Sequence, residues 1–312
     1  MQWETQEMPV RLCILGRNGQ LARAMLEKAS ALGWQVEARG RQEIDLLDPG
    51  SLRQLLREMQ PHVVLNTAAY TAVDKAEEEP DAAFALNCDA VANIARVCAE
   101  LAVPLVHIST DYVFDGHKAG PYVEEDEPAP LNVYGRSKLA GEQKVRELLE
   151  QHMIVRTSWL FSPWGHNFVR TMLHLAQAHN ELRVVADQHG NPTYVPHLAD
   201  ALLIMMQHIL QAAPERQAHM WGTFHLAGSG AATWHELARA VILEAAPFTG
   251  RKPIVNPIST AEYPAPAQRP ANSTLDCGSF LNAFGLALPP WQEGVRACVY
   301  RLCTHEVGKG ST

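Results

Sequence analysis

The stretch RLCILGRNGQLARAM, residues 11–25, decides the fold. It runs from an apolar segment, LCIL, through two glycines three residues apart into a segment with apolar residues at helical spacing. A strand that feeds a glycine turn and then a helix is the opening unit of a parallel α/β sheet. In the loop Gly16-Arg17-Asn18-Gly19-Gln20-Leu21-Ala22 the glycines permit a tight turn and let the backbone approach an anion at the positive end of the helix. Ala22 is small enough for helix and strand to lie close together. Two glycines after a strand also make an ordinary tight turn, so the loop takes its meaning from its surroundings.

Those surroundings alternate between apolar runs and helical patterns. WQVEARG follows LARAMLEKASALG, HVVLNTAA follows SLRQLLREMQ, and PLVHIST follows DAAFALNCDAVANIARVCAELA. MIVRTSWLF follows a helix that starts near Tyr134. The alternation implies an α/β protein with a doubly wound parallel sheet of Rossmann type. Beyond Ser162 prolines such as Pro163, Pro192, Pro264, Pro266, Pro289 and Pro290 cut the chain into shorter pieces, the mark of a smaller C-terminal substrate lobe. The helix VPHLADALLIMMQHIL and the strand GTFHLAG in that half still read as layers of the sheet, so the lobes interleave. The expected division is an extension over 1–9, a dinucleotide-binding domain over 10–162 to which 194–228 return, a substrate lobe over 163–193 and 229–304, and a tail over 305–312.

Composition narrows the function. The chain of 312 residues is 47% hydrophobic, which is enough for a packed core, and its net charge of -8 argues against a nucleic-acid partner. A small molecule is the expected partner. The six cysteines have neither zinc spacing nor the density of a disulfide scaffold and read as thiols in a reducing compartment. The start, MQWETQEMPVR, is acidic without a long apolar run, and no later segment reads as apolar enough to span a bilayer. The expected location is cytoplasmic, with no membrane partner.

A dinucleotide in this loop would contact Gly16, Asn18, Gly19, Gln20 and Leu21. An NAD enzyme usually places an acid on the ribose 2′-hydroxyl at the end of the second strand, but here the sequence reads Ala38-Arg39-Gly40-Arg41. Guanidinium groups pair with a 2′-phosphate, so NADPH is the expected cofactor and NADH is expected to be accepted as well. The plain alternative is that Arg39 and Arg41 are solvated surface charges. Asp45 and Leu46 are candidates for the adenine, though Asp45 also suits a turn. Ala68 and Ala69, with Tyr70 beside them, let a cofactor cross the end of the third strand, and small residues there also serve packing.

Tyr134-Gly135-Arg136-Ser137-Lys138 carries the strongest chemical signal. Residues four apart share a helix face, so a phenol and an ammonium meet the same ligand. The ammonium favours the phenolate, which lets Tyr134 exchange a proton with a carbonyl, and the three donors of Lys138 can hold ribose hydroxyls. A lone Y-x-x-x-K is common by chance, and its place after the βαβ series gives it weight. The strand PLVHIST ends in Ser109-Thr110-Asp111, where a hydroxyl can steady a developing oxyanion. Thr110 is the candidate, with Ser109 as helper or cap, and a plain Ser/Thr turn is the alternative.

The stretches GRNGQLARAM, NTAAYTAVDKAEEEP, STDYVFDG, PLNVYGRSKLAGE, RTSWLF, GNPTYVPHLAD, FHLAGSGAATWHELA and QRPANSTLD occur in this order. Together they resemble the dTDP-4-dehydrorhamnose reductase family of extended short-chain dehydrogenases, from Val10 to about Cys303. The resemblance implies Thr110, Tyr134 and Lys138 as the catalytic set, and Val73, Asp111, Tyr112 and Trp159 around the sugar and nicotinamide. It makes Arg269 a candidate partner for a nucleotide diphosphate; an exposed loop arginine, and a core role for Trp159, are the alternatives. The implied reaction is NAD(P)H-dependent reduction of the 4-keto group of dTDP-4-dehydro-6-deoxy-L-mannose to dTDP-L-rhamnose. A nucleotide sugar is then the small-molecule partner, and a homodimer is left open. Some members link a dimer through magnesium; TYVPHLAD has Pro196 where an acid would be wanted, so no metal site is expected. The rival readings are a sugar-nucleotide epimerase or dehydratase of the same fold, and a non-catalytic regulatory relative.

Overall fold

Leu12, Cys13, Ile14 and Leu15 are fully enclosed, which requires cover on both faces of the strand that carries them. A computed structural model, describing residues 9–217 and 219–307, shows how that cover is built. The first half comprises β1 (Arg11–Leu15), α1 (Gln20–Ala31), β2 (Gln35–Arg39), α2 (Pro49–Met59), β3 (Val63–Asn66), α3 (Val73–Glu78), α4 (Pro80–Phe84), α5 (Ala90–Leu101), β4 (Leu105–Thr110), α6 (Val133–Leu148) and β5 (His152–Thr157). A π-helical turn, Ala85–Asp89, joins α4 to α5. The second half comprises β6 (Leu160–Phe161), α7 (Phe168–Ala178), β7 (Glu181–Val185), β8 (His189–Gly190), β9 (Thr193–Tyr194), α8 (Val195–Gln211), α9 (Pro214–Gln217), β10 (Gly222–His225), β11 (Ala232–Thr233), α10 (Trp234–Thr249), β12 (Ile254–Ile258), α11 (Gly278–Phe284) and α12 (Trp291–Val307).

Six strands form one parallel sheet in the order β2-β1-β3-β4-β5-β10. On one face α1 and α8 pack Met25 and Ala22 into a cluster with Leu198, Leu202 and Met206. On the other face α2, α5 and α6 enclose Leu52, Val91, Ile94 and Val145 with Cys13 and Leu15. Burying each large aliphatic side chain contributes roughly 1.5–3 kcal/mol. Between β1 and β3 the strand order reverses, which opens a crevice at the carboxyl ends.

A second cluster gathers Phe161, Met172, Tyr194, Val241, Trp291 and Val299 from α7, α10, α12 and the short strands. Thr233 and Glu236 start α10 with a reciprocal capping box, and Gly250 ends it in the left-handed region. Three features differ from the expectations of the sequence. Within the stretch assigned to the smaller lobe, α11 packs Phe280 and Phe284 against Phe224 in the main core, because residues four apart present one apolar face to β10. One helical run, Pro80–Leu101, is long and apolar enough to cross a membrane, but half of it is buried inside the fold. The last helix reaches Val307, so the tail expected from 305 begins inside it; residues 1–8 and 308–312 lie outside the described residues.

Candidate active site

The glycine loop turns because Gly16 adopts φ +102°, and a Cβ there would lie 2.6 Å from the Ala68 nitrogen. Gly16 and Arg17 donate their N–H groups to the Arg39 carbonyl at 2.9 and 3.2 Å, which ties the loop to the end of β2. Gly19 caps α1 with no side-chain hydrogen bond, so the first N–H groups of that helix stay available to an anion. Gln20 is held by Ser162 at 2.6 Å and Asn167 at 2.9 Å, a link from the loop to the start of the smaller lobe. The Leu21 side chain lies in the core, leaving only its backbone for a ligand. Asn18 is exposed, and Ala68, Ala69 and Tyr70 line the end of β3 half-buried. The uncapped helix end and this open strand end suit a dinucleotide.

Around the end of β2 the charges are paired. Arg39 forms an ion pair with Glu37, two residues earlier and on the same face of the strand. The acid at this end of β2 is Glu37, one residue before the stretch Ala38–Arg41. Arg41 is exposed, and Arg17 pairs with Glu43 at 2.6 Å. The Asp45 carboxylate accepts the Leu47 N–H at 2.9 Å, the turn role that its position suggested, while Leu46 packs partly buried against α2 and α5.

Thr110 ends β4 and Tyr134 and Lys138 lie one turn apart near the start of α6. The helix begins where the Asn132 side chain accepts the Gly135 N–H at 2.8 Å. A Cβ on Gly135 would fall 2.2 Å from the Tyr112 carbonyl oxygen, so glycine allows α6 to close on the loop after β4. The rings of Tyr112 and Tyr134 then meet edge to face with centroids 6.0 Å apart. Burial pushes the Tyr134 phenol up to about 12, the Thr110 hydroxyl beside it works downward, and Asp111 works upward. Burial lowers Lys138 to about 8 against the pull of Glu142 one turn on. Lys138 Nζ donates to the Ile108 carbonyl at 2.7 Å.

Ser109 faces away from this group and donates to Glu142 at 2.6 Å, so it is no helper to Thr110. Thr110 donates to Asp111 Oδ1 at 3.1 Å and accepts the Tyr112 N–H at 3.2 Å. Burial raises Asp111 to about 7, with Ser273 and Thr110 working downward. Among the described residues three buried polar atoms lack hydrogen-bond partners: Asp111 Oδ2, Thr157 Oγ1 and Trp159 Nε1. Thr157 pairs with Thr110 across β4 and β5, and Trp159 follows it, so all three belong to the same edge of the sheet. Orphaned polar groups at a strand edge mark where a polar ligand would be held.

Trp159 has φ +47° and stacks on Trp234, with centroids 3.5 Å apart. Trp234 lines a cavity of about 720 Å³ with Gln188, Arg183 and the loop 263–269. Arg269, at the cavity wall, is committed to Asp74 through contacts of 2.9 and 3.0 Å. Val73 starts α3 next to that aspartate. The structure therefore gathers Thr110, Asp111, Tyr112 and Tyr134 in direct contact, while Arg269 reaches them through Asp74 and Tyr112.

The sequence reading passed over several buried polar residues here. Asn87, in the π-helical turn, accepts the Tyr70 N–H at 2.8 Å and donates to Ser137 at 2.9 Å, coupling the end of β3 to α6. Glu142 is fully buried against Arg156 at 2.8 Å and also meets Arg146 at 2.7 Å. Its signal was present in YGRSKLAGE, where Glu142 repeats the four-residue step from Tyr134 to Lys138.

A family model described as RmlD substrate binding domain matches residues 10–304. The dTDP-4-dehydrorhamnose reductase of Sinorhizobium fredii is 45% identical over 293 residues, covering 94% of this chain and 98% of that protein. The enzyme of the same name from Escherichia coli is 38% identical over 303 residues, covering 95% and 99%. A crystal structure of dTDP-4-dehydrorhamnose reductase from Bacillus anthracis in complex with NADP superposes with a TM-score of 0.85 at 37% identity, covering 94% of this chain and all of that one. With matches of this extent laid over a loop, strand edge and Tyr/Lys helix of this geometry, the chain belongs to the dTDP-4-dehydrorhamnose reductase family.

Proposed function

We propose that this protein reduces the 4-keto group of dTDP-4-dehydro-6-deoxy-L-mannose to give dTDP-L-rhamnose, using NADPH and accepting NADH. The observation that carries the reading is the Thr110 hydroxyl beside the Tyr134 phenol at the carboxyl edge of β4, with Lys138 one helical turn further along α6 and the Gly16–Gly19 crevice alongside. Bound NADPH supplies hydride to the carbonyl carbon. Tyr134 gives its proton to the carbonyl oxygen, and Thr110 donates a hydrogen bond to that oxygen as charge develops. Lys138 holds a positive charge next to the phenolate that results, which offsets the cost of forming it in a buried site. Gly16, Asn18, Gly19, Gln20 and the Leu21 backbone would hold the pyrophosphate, with Arg39 and Arg41 toward the 2′-phosphate, Asp45 and Leu46 toward the adenine, and Ala68, Ala69 and Tyr70 along the ribose path. Val73, Asp111, Tyr112 and Trp159 would surround the sugar, the unpaired Asp111 Oδ2 and Trp159 Nε1 taking its hydroxyls. The cavity beside Trp234 and Arg269 has room for the nucleotide part.

The deciding assay offers the dTDP-4-keto sugar with NADPH or NADH, follows the loss of reduced-cofactor absorbance, and identifies the product by NMR. Stoichiometric cofactor consumption with a 4-hydroxy product supports the reductase. Sugar isomerisation or dehydration without net consumption would establish the epimerase or dehydratase reading instead, and no turnover would point to a non-catalytic relative.

A further inference from the structure

Strand β4 carries an imidazole to which the reaction above gives no task. His107 is fully buried on the face of β4 turned toward α6. Its Nδ1 lies 3.0 Å from Asn66 Nδ2, and its Nε2 lies 3.5 Å from Lys138 Nζ. The Asn66 amide is oriented by the backbone, because its Oδ1 accepts the Ala68 N–H at 3.1 Å and its NH₂ end must then face the ring. An NH₂ group only donates, so Nδ1 is the bare nitrogen, and a neutral imidazole carries its proton on Nε2. Burial, with Lys138, Arg146 and His152 nearby, holds His107 well below its ordinary pKa and so keeps it neutral. That Nε2–H is aimed at Lys138 Nζ. An ammonium has no lone pair to accept it; a neutral amine has one.

We propose that His107 is a positioning residue for the reduction, its Nε2–H loosening the hold of Lys138 on its proton so that the lysine resupplies Tyr134. The O–H bond of Tyr134 breaks as the carbonyl oxygen takes the proton. The phenolate recovers a proton from the Lys138 ammonium, the resulting amine accepts the His107 N–H, and solvent water returns a proton to Nζ. The other groups that act on Lys138 are Glu142 one turn after it, which favours the ammonium, and the Ile108 carbonyl, which accepts from either form, while Tyr134 stands one turn before it on α6. Arg146 and His152 act on the ring from α6 and β5. Burial is what lowers Lys138, and the His107 contact rests on the geometry alone.

The tautomer stands without the reductase reading, while the kinetic consequence rests on it, and the tests separate the two. Long-range ¹H–¹⁵N spectra of the full chain labelled with ¹⁵N-histidine, compared with His107→Gln for assignment, read the ring directly. The expected result is a pyridine-like Nδ1 and a pyrrole-like Nε2 from pH 6 to 9; the opposite tautomer, or an imidazolium, overturns the proposal. With NADPH and the keto sugar, His107→Leu should move the descending alkaline limb of kcat/KM upward by on the order of one pH unit, whereas His107→Gln, which can keep a donor at that place, should stay nearer wild type. A limb that does not move in the leucine variant, or moves down, with cofactor binding intact, also overturns it. If the wild type turns over no keto sugar at all, the reductase reading fails and the spectra still decide the tautomer.

Discussion

Ser109 and Thr110 are neighbours at the end of β4 yet serve opposite faces of the sheet: Ser109 donates to the buried Glu142 at 2.6 Å, while Thr110 accepts the Tyr112 N–H at 3.2 Å beside Tyr134. Alternation along a strand makes one hydroxyl structural and leaves the other for chemistry. Thr110→Val should cut kcat by about 10²-fold, the scale for losing one oxyanion donor, and lower stability by about 1–3 kcal/mol, since the buried Asp111 loses a donor and the Tyr112 N–H an acceptor. Ser109→Ala should lower stability by about 1–3 kcal/mol, since Glu142 loses a buried donor, and leave kcat near wild type. Paired melting curves and rate assays would expose the reverse pattern.

Tyr134→Phe should fold, bind NADPH and lose on the order of 10²–10⁴ in turnover, the range for removing a positioned proton donor. Its ring still meets Tyr112 edge to face, so packing at this contact is kept. Near-normal turnover with confirmed binding would remove Tyr134 from the reaction.

Asp111→Asn should gain stability while losing activity. Burial raises the carboxyl to about 7, and one oxygen has no partner. An aspartate in the unfolded chain titrates near ~3.9, so between these values the native state binds a proton that the unfolded chain has released. Stability from this group is therefore greatest at low pH and is lost as pH rises toward 7, a cost on the order of 4 kcal/mol once complete. The asparagine variant should melt above wild type at pH 8, with the gap closing toward pH 4. Equal melting curves at pH 8, or a gap independent of pH, would sink this account.

The sheet was legible because Leu12 to Leu15, Val63 to Leu65 and Leu105 to Val106 are apolar runs separated by helices, and burial on both faces writes that pattern directly. Thr110, Tyr134 and Lys138 stood out through spacing and place. His107, Asn66 and Asn87 did not, because a polar residue inside an apolar run acquires meaning only from partners distant in sequence, here 41 residues apart for Asn66 and His107. Arg39 illustrates the same limit at short range: its charge was visible, but its pairing with Glu37 depends on both side chains sharing a strand face.

That pairing bears on the proposed preference for NADPH. Glu37 already engages Arg39 Nη2, so a 2′-phosphate would share the guanidinium with a carboxylate of like charge. A charge-assisted hydrogen bond to phosphate contributes roughly 1.5–3 kcal/mol, and repulsion from the Glu37 carboxylate offsets part of it. Wild type should therefore prefer NADPH while still using NADH. Glu37→Gln frees Arg39 and removes a negative charge near the phosphate, so its NADPH/NADH ratio of kcat/KM should rise. Replacing Arg39 and Arg41 together by alanine should lower the ratio with little change in NADH use, and salt should shrink it in wild type because these groups are partly or fully exposed. The comparison is kcat/KM for both cofactors in three proteins at low and high ionic strength. A better rate with NADH in wild type, an unchanged ratio in Glu37→Gln, or a full preference surviving in the double variant would show that these charges face solvent and do not read the cofactor.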